Sequence, residues 1–255
     1  MTGNQDDVRT VTSGFVARAD TSEYKVRTLD ILIYQDGGTG MLEKRVHVNG
    51  MPRSHGVEET EGGKIAVIFA NLPAGINEKY LERFDSLTEM DLMFKDEDPT
   101  FPVMTGYAGY MAGDVSRVEL RPFICKVVIS SVSNAMDGYV LAESPYVRLS
   151  DLNPSVHPLQ ESGFIPSEVI EDGVRTDLPY DIGFYTQEPG TTLYCYPDSS
   201  DPDMLGSRHT ALTFGCTING TKRSCTSPLP EMGRNSTVRA SVMIDAGGNV
   251  SITYF

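Results

Sequence analysis

The sequence has no tryptophan, few cations and no long apolar run. Lys and Arg number 21 against 35 Asp and Glu, so the formal net charge is −14. Because a surface of that sign repels the phosphate backbone, we expect no nucleic-acid partner. The longest apolar stretch, KIAVIFANLPAGI, is interrupted by Asn71 and Pro73 and is too short to cross a bilayer.

The N-terminus also lacks the features of a secretory leader. The stretch MTGNQDDVRTVTSG contains neither a basic segment nor an apolar one. The residues alone therefore leave two interpretations, a cytoplasmic protein or a mature exported chain without its leader.

Catalytic and metal-binding motifs are missing as well. There is no G-x-S-x-G elbow, and the stretches DGGTG and EGGKI lack the spacing of a phosphate-binding loop. The acidic loop DSSDPD, at 198–203, lacks the glycine and the distal glutamate of an EF-hand. We read it as a solvated acidic turn, and we expect neither enzymatic activity nor a cofactor.

The four cysteines do not have the spacing of a zinc site. Cys216 and Cys225 flank TINGTKRS, and the turn type decides whether they can form a disulfide. A type II′ turn at Gly220-Thr221 would place the two thiols opposite each other across a hairpin. A type I′ turn at Asn219-Gly220 would place them diagonally, too far apart for a bridge. Both alternatives are open at this level.

Short strand-like segments recur at intervals of eight to twelve residues in both halves of the chain. Together with 24 Gly and 15 Pro, this spacing predicts an all-β protein of two β-sandwich domains, 1–135 and 136–255. One amphipathic run, NEKYLERFDSL at 77–87, predicts a single short helix with Asn77 as its N-cap. Cys125 lies among apolar residues without a partner nearby in sequence, which predicts a buried free thiol.

Several stretches, taken in order, resemble the fimbrillins of Bacteroidales, which are subunits of type V pili. KIAVIFANLP is similar to the family's strand that ends in Ala-Asn, and FPVMTGYAG to its Met-(Ser/Thr)-Gly segment. VELRPFICKVVISSV resembles the strand that closes the first domain. TTLYCYPDSSD with HTALTFGCTINGTKRSC, and LPEMGRNSTVRASVMI, resemble stretches of the second domain.

This resemblance implies two transthyretin-like β-sandwich domains and export as a lipoprotein to the outer membrane and cell surface. It also implies that the closing strand of the first domain carries Arg117 and Arg121 near its start and Lys126 on its outer face. A lipid anchor on the precursor would then be the only link to the membrane.

The resemblance further implies polymerisation by strand exchange. In the family an N-terminal strand is removed after an arginine, and a strand of a neighbouring subunit fills the groove. Here Arg18 and Arg9 are the candidate processing sites. The candidate plug strand is the one that carries Val11, Phe15 and Ala17 on one face.

Candidate donor residues lie at the C-terminus, where Val250, Ile252 and Tyr254 alternate along one strand. The expected partners are therefore other pilus subunits, with host or bacterial surface ligands as a further expectation. The alternative function is a surface glycan-binding lipoprotein with a β-sandwich fold. The absence of tryptophan, a common sugar platform, disfavours it.

Overall fold

A computed structural model describes residues 9–19, 23–37, 40–183, 185–204 and 206–255. The chain divides into two compact units. The first holds the described residues up to Leu92, together with 96–123 and 157–160, and the second holds 93–95, 124–156 and the described part of 161–255. Both units consist of β-strands joined by turns, which confirms the all-β prediction.

The described residues of the first half of the chain form eight strands. They are β1 (Thr10–Ala19), β2 (Thr28–Gln35), β3 (Leu42–Asn49), β4 (His55–Thr60), β5 (Gly63–Ala70), β6 (Leu92–Met93), β7 (Met104–Met111) and β8 (Val115–Pro122). Seven of them pair in the order β3-β2-β5-β7-β8-β1-β4. β8 pairs with β1 over residues 115–120 and with β7 only at 121–122. The ring of Phe15 on β1 contacts Tyr110 on β7, so this path folds over itself into two facing layers.

In the second half, apart from residues 184 and 205, the chain forms ten strands. They are β9 (Cys125–Asn134), β10 (Ala142–Leu152), β11 (Ser155–Val156), β12 (Ile170–Asp177), β13 (Thr186–Gln187), β14 (Thr191–Cys195), β15 (Ala211–Ile218), β16 (Thr221–Pro228), β17 (Thr237–Ile244) and β18 (Val250–Tyr254). One sheet runs β12-β10-β15-β16, and the other runs β13-β9-β17-β18 with β14 also on β9. Alternate residues of both sheets, such as Val127, Leu149, Phe214 and Val242, share one buried core. This unit is a β-sandwich.

The predicted helix at 77–87 is wrong. Two 3-10 helices, Glu78–Leu81 and Asp85–Glu89, stand in its place, although Asn77 does cap the first of them by accepting from Lys79 N–H at 3.2 Å. The backbone between them pairs elsewhere, since Leu42 N–H donates to the carbonyl of Glu82 at 2.8 Å. Tertiary hydrogen bonds thus override the helical pattern. None of the helical segments in the described part of the chain has the length and hydropathy to cross a membrane.

The cationic segment at 117–132 forms two strands, because β8 ends at Pro122 and β9 begins at Cys125. Arg117 and Arg121 are exposed on β8. Lys126 alternates with the core residues Cys125 and Val127, so it lies on the predicted outer face of β9, but it is covered there and only 6% exposed. It lies on a strand flanked on both sides, opposite Tyr194 and Thr237.

The chain passes from the first unit to the second between Phe123 and Ile124. Strand β9, which the sequence analysis assigned to the first domain, lies in the second unit. The limits 1–135 and 136–255 as independently folding domains stay a prediction.

Candidate functional site

The N-terminal strand β1 occupies an interior position in the first unit's sheet. Residues 10–15 pair antiparallel with β4, from Thr10 opposite Thr60 to Phe15 opposite His55. Residues 14–19 pair in parallel with β8, from Gly14 opposite Val115 to Ala19 opposite Leu120. Among these paired residues only Gly14 and Phe15 have a neighbour on both sides. The strand therefore bridges β4 and β8, which share no pairing of their own.

The predicted apolar face of β1 points inward. Phe15 is 1% exposed, and its ring meets Tyr110 edge-on with centroids 5.2 Å apart. Val11 and Ala17 lie on the same face and are half-buried, whereas Thr12 and Arg18 on the opposite face are exposed. A single aromatic side chain therefore supplies most of the strand's anchoring.

A polar group that sequence reasoning missed lies next to Phe15. The hydroxyl of Ser13, which is fully buried, donates to Glu59 Oε1 and accepts from the N–H of Gly113 at 2.7 Å. The hydroxyl of Tyr110 donates to the other oxygen of Glu59. Burial, followed by the adjacent Glu59 carboxylate, raises the pKa of Tyr110 above its ordinary value. The tyrosine therefore keeps its proton and remains a donor.

A buried ion pair lies at the end of β4. Lys64 Nζ donates to Glu43 Oε2 at 2.6 Å and to Thr60 Oγ1 at 2.8 Å. Burial acts to raise the pKa of the Glu43 carboxyl, but hydrogen bonds from Lys64 and Thr60 outweigh it and lower that pKa. The ion pair and its hydrogen bond to Thr60 connect β3 and β5 to β4. Contacts that do not involve β1 therefore help to hold β4 in place.

Both candidate processing arginines are exposed. Arg18 is the penultimate residue of β1 and lies opposite Glu119 on β8. Arg9 precedes the strand, and its carbonyl accepts from Glu61 N–H at 3.3 Å. A cut after Arg18 would release nearly all of β1, whereas a cut after Arg9 would leave the strand in the sheet.

The candidate donor strand is seated in its own chain. β18 pairs antiparallel with β17 at the edge of the second unit's sheet. Val250, Ile252 and Tyr254 pack, partly buried, against that unit's core, and the Tyr254 hydroxyl donates to the Ser227 carbonyl at 2.9 Å. The other face of the strand, with Thr253 and Phe255, is exposed.

All four cysteines lie in the described part of the chain, and none of them forms a disulfide. Ile218 pairs with Thr221, and Asn219 and Gly220 both have positive φ, so the hairpin turn is the type I′ alternative. Cys216 lies opposite Arg223, two residues out of register with Cys225, which is the arrangement in which a bridge is not expected.

Cys125 is buried and forms no disulfide, as predicted, and its thiol donates to the Gly233 carbonyl at 3.0 Å. Burial raises its pKa to about 12, which leaves the thiol unreactive. Cys195 lies directly opposite it on β14, and because the two are 70 positions apart no local sequence pattern indicates this contact.

The loop that we read as a solvated acidic turn is anchored by a buried carboxylate. Asp198 is fully buried and accepts from Ser200 Oγ at 2.6 Å and Thr210 N–H at 2.8 Å. Ser200 Oγ lies 2.9 Å from His209 Nδ1, and His209 Nε2 lies 2.7 Å from the Leu229 carbonyl. Since Ser200 donates to Asp198, all these contacts are satisfied when both nitrogens of His209 carry protons.

This Asp, Ser and His cluster is therefore not a catalytic triad. A general base needs a free nitrogen lone pair facing the nucleophile, whereas the second nitrogen of His209 is occupied by a backbone carbonyl and the first donates to Ser200. Within the described ranges, no group of three or more His, Cys, Asp or Glu side chains is placed to hold a metal ion. The cluster joins the loop at 198–210 to the strands beside it.

The Asp198–His209 pair predicts a pH dependence of stability. Burial opposes both charges, but their hydrogen bonds outweigh it, which lowers the pKa of Asp198 from 3.8 to about 2 and raises that of His209 above 6.5. The histidine's contribution is therefore complete below pH 6.5 and is lost as the pH rises through the raised pKa. The aspartate's contribution is present above pH 3.8 and is lost as the pH falls towards 2.

Thermal unfolding of the protein and of His209→Gln measures this effect. The midpoint difference between them should be largest between about pH 4 and 6.5 and should shrink as the pH rises above 6.5 through the raised pKa of His209. His55→Gln, which removes a half-buried histidine of β4 outside this cluster, is the control. A difference that grows towards alkaline pH would contradict a charged His209.

Comparison with solved structures bears on the fold as a whole. A fimbrilin from Porphyromonas gingivalis W83 superposes with a TM-score of 0.70 at 10% identity, covering 97% of each chain. A candidate cell adhesion protein from Bacteroides eggerthii DSM 20697 gives 0.67 at 12% identity, covering 99% of this chain and 97% of that one. A tip fimbrial protein from Porphyromonas gingivalis with a C-terminal truncation gives 0.63 at 11% identity, covering 97% and 99%.

These similarities confirm, at the level of the fold, the resemblance to fimbrillins. No protein-family model and no curated protein sequence matches the chain. At about 10% identity these superpositions show a shared fold and assign no role to individual residues of this chain.

Proposed function

We propose that this protein is a structural and adhesive subunit of a type V pilus on a bacterial surface, assembled by strand exchange at the position of β1. The single observation that carries the proposal is the seating of β1. It is an N-terminal strand that pairs with β4 on one side and β8 on the other, two strands that do not pair with each other, and it buries one aromatic residue, Phe15. An exposed arginine stands at its end. The fimbrial and adhesion proteins that share the fold support the same function.

Loss of β1 would create a surface that favours a new strand. The backbone N–H and C=O groups of β4 and β8 that now pair with residues 10–19 would lose their hydrogen-bond partners. The apolar surface around Phe15 would become exposed to water, which costs about 25 cal/mol for each Å² of apolar surface. A strand from a neighbouring subunit would remove both defects, with backbone pairing for affinity and side-chain pockets for specificity.

The proposal places the protein at the outer cell surface, held there by other subunits and by a lipid anchor on its precursor. The net charge of −14 is compatible with an exposed and soluble filament, since like charges limit unspecific association. Host or bacterial surface ligands are further proposed partners. Assembly through β18 as donor stays a prediction, because the face with Val250, Ile252 and Tyr254 is engaged in its own unit.

Limited digestion with an arginine-specific protease, followed by sizing chromatography, tests this function. Trimming after Arg18 is expected to convert a monomer into larger assemblies, because it opens the groove. The Arg18→Gln chain should stay monomeric under the same treatment, while the Arg9→Gln chain should still be trimmed and assemble. Trimmed protein that stays monomeric and as heat-stable as the intact chain would contradict strand exchange.

A further inference from the structure

The position that β1 fills has two chemically different recesses on its inner side. One is the polar recess around the Ser13 hydroxyl, made by the Glu59 carboxylate, the Tyr110 hydroxyl and the Gly113 N–H, which we term the hydroxyl slot. The other surrounds the ring of Phe15 and has the edge of the Tyr110 ring as one wall, and we term it the aromatic pocket.

Tyr110 holds the two recesses at a fixed spacing. Its hydroxyl donates to Glu59 in the hydroxyl slot, and its ring packs against Phe15 in the aromatic pocket at an interplanar angle of 89°. Successive residues on one face of a strand are two positions apart. A strand that fills both recesses must therefore carry its hydroxyl two residues before its aromatic ring.

The hydroxyl slot favours a hydroxyl over an apolar side chain because the carboxylate it contains is buried. Glu59 is 3% exposed and Ser13 is fully buried. The hydroxyl satisfies two of these groups at once, since it donates to the carboxylate and accepts from Gly113 N–H. An apolar side chain in its place would cover Glu59 Oε1 without donating to it, and a buried carboxylate oxygen that loses its donor costs more than the lost contact alone.

We infer that this position selects an incoming strand of another subunit that carries a hydroxyl side chain two residues before a large aromatic one. The inference rests on the proposed function and specifies the partner that the groove accepts. Residues 13–15 of this chain, Ser-Gly-Phe, are the resident example. Glu59, Tyr110 and Gly113 are then the residues that determine specificity.

The same rule decides how the C-terminal strand of a second copy could enter. With Tyr254 in the aromatic pocket, Ile252 would lie over the Glu59 carboxylate, which is a mismatch. With Phe255 in the pocket, Thr253 would occupy the hydroxyl slot. These two residues lie on the exposed face of β18, where Phe255 is 68% exposed. A second copy therefore matches the rule through Thr253 and Phe255, not through Val250, Ile252 and Tyr254.

Peptide competition on the nicked full-length chain tests the inference. The chain is cut after Arg18 under native conditions, and binding of a fluorescent peptide of residues 10–18, TVTSGFVAR, is followed by anisotropy, with the uncut chain as the negative control. Peptides with Ser13→Ala or Phe15→Ala are expected to bind at least about tenfold more weakly. Thr12→Ala, which removes a hydroxyl from the outward face, is the matched control and should bind as the parent does.

The outcomes separate the inference from the function on which it rests. If the parent peptide binds and the Ser13→Ala peptide binds equally well, the selection rule is overturned while strand exchange stands. If no peptide binds the nicked chain, both are overturned. The peptide of residues 249–255 should compete, and its Thr253→Ala form should compete about tenfold less well; equal competition would overturn entry through Thr253 and Phe255.

The uncut chain provides a second readout that needs no peptide. Ser13→Ala should lower its thermal midpoint while Thr12→Ala leaves it unchanged, and Ser13→Thr, which keeps the hydroxyl, should recover part of the loss. Equal midpoints for Ser13→Ala and Thr12→Ala would overturn the hydroxyl slot as a selective feature.

Discussion

Replacing Phe15 by alanine is expected to lower the free energy of unfolding of the first unit by about 3–5 kcal/mol, the usual cost of truncating a fully buried phenylalanine. The ring is 1% exposed and contacts Tyr110 edge-on at 5.2 Å. Val11 and Ala17, the other apolar residues on its face, are only half-buried. Loss of this ring therefore removes most of the packing that holds β1.

Denaturant unfolding of the Phe15→Ala and Thr12→Ala chains measures this effect. Thr12 lies on the same strand with its side chain exposed, so its replacement should change stability by no more than about 0.5 kcal/mol. Equal midpoints for the two variants would mean that β1 is not held by its aromatic anchor.

Replacing Gly106 by alanine is expected to destabilise the first unit by about 3 kcal/mol, the upper part of the usual range for overpacking. A Cβ atom added there would lie 2.1 Å from the Glu119 carbonyl oxygen and 2.8 Å from Val118 Cγ1. Gly106 follows the point where β8 leaves β7 to pair with β1. The added atom would push β8 away from β7, and with it the strand against which β1 lies.

Gly109→Ala is the matched control on the same strand, because the nearest atom to its added Cβ is the Lys64 carbonyl oxygen at 3.9 Å. Its stability should stay within about 0.5 kcal/mol of the parent. Calorimetric unfolding of both variants checks the pair. Similar midpoints for Gly106→Ala and Gly109→Ala would show that the close approach of β7 and β8 is not required.

Alternation alone predicted part of this site. Val11, Phe15 and Ala17 mark a buried strand face, and the structure places them on one face of β1. Ser13 lies on the same face, but a serine in an alternating strand gives no sign of whether it meets water or a carboxylate. Its partner Glu59 is 46 residues away, so only the fold brings the two together.

Other features escaped sequence reasoning for related physical reasons. The pattern at 77–87 does not form a continuous helix, because the carbonyl of Glu82 pairs with the N–H of Leu42. The local sequence does not reveal this pairing. Asp198 appears in an acidic, solvated-looking loop, yet it is buried because Ser200, His209 and Thr210 satisfy it. Periodicity gives the faces of strands, whereas the pairing of buried polar groups depends on strands that are distant in sequence.

Amide hydrogen exchange in chain trimmed after Arg18 tests most directly whether a foreign strand takes the place of β1. The segments to follow are β4 and β8, which pair with β1 in the intact chain. Both segments should exchange fast in freshly trimmed monomer and, once assemblies have formed, return to the slow exchange of the intact chain. Assemblies in which β4 and β8 still exchange rapidly, or a trimmed monomer in which they are already protected, would contradict strand exchange.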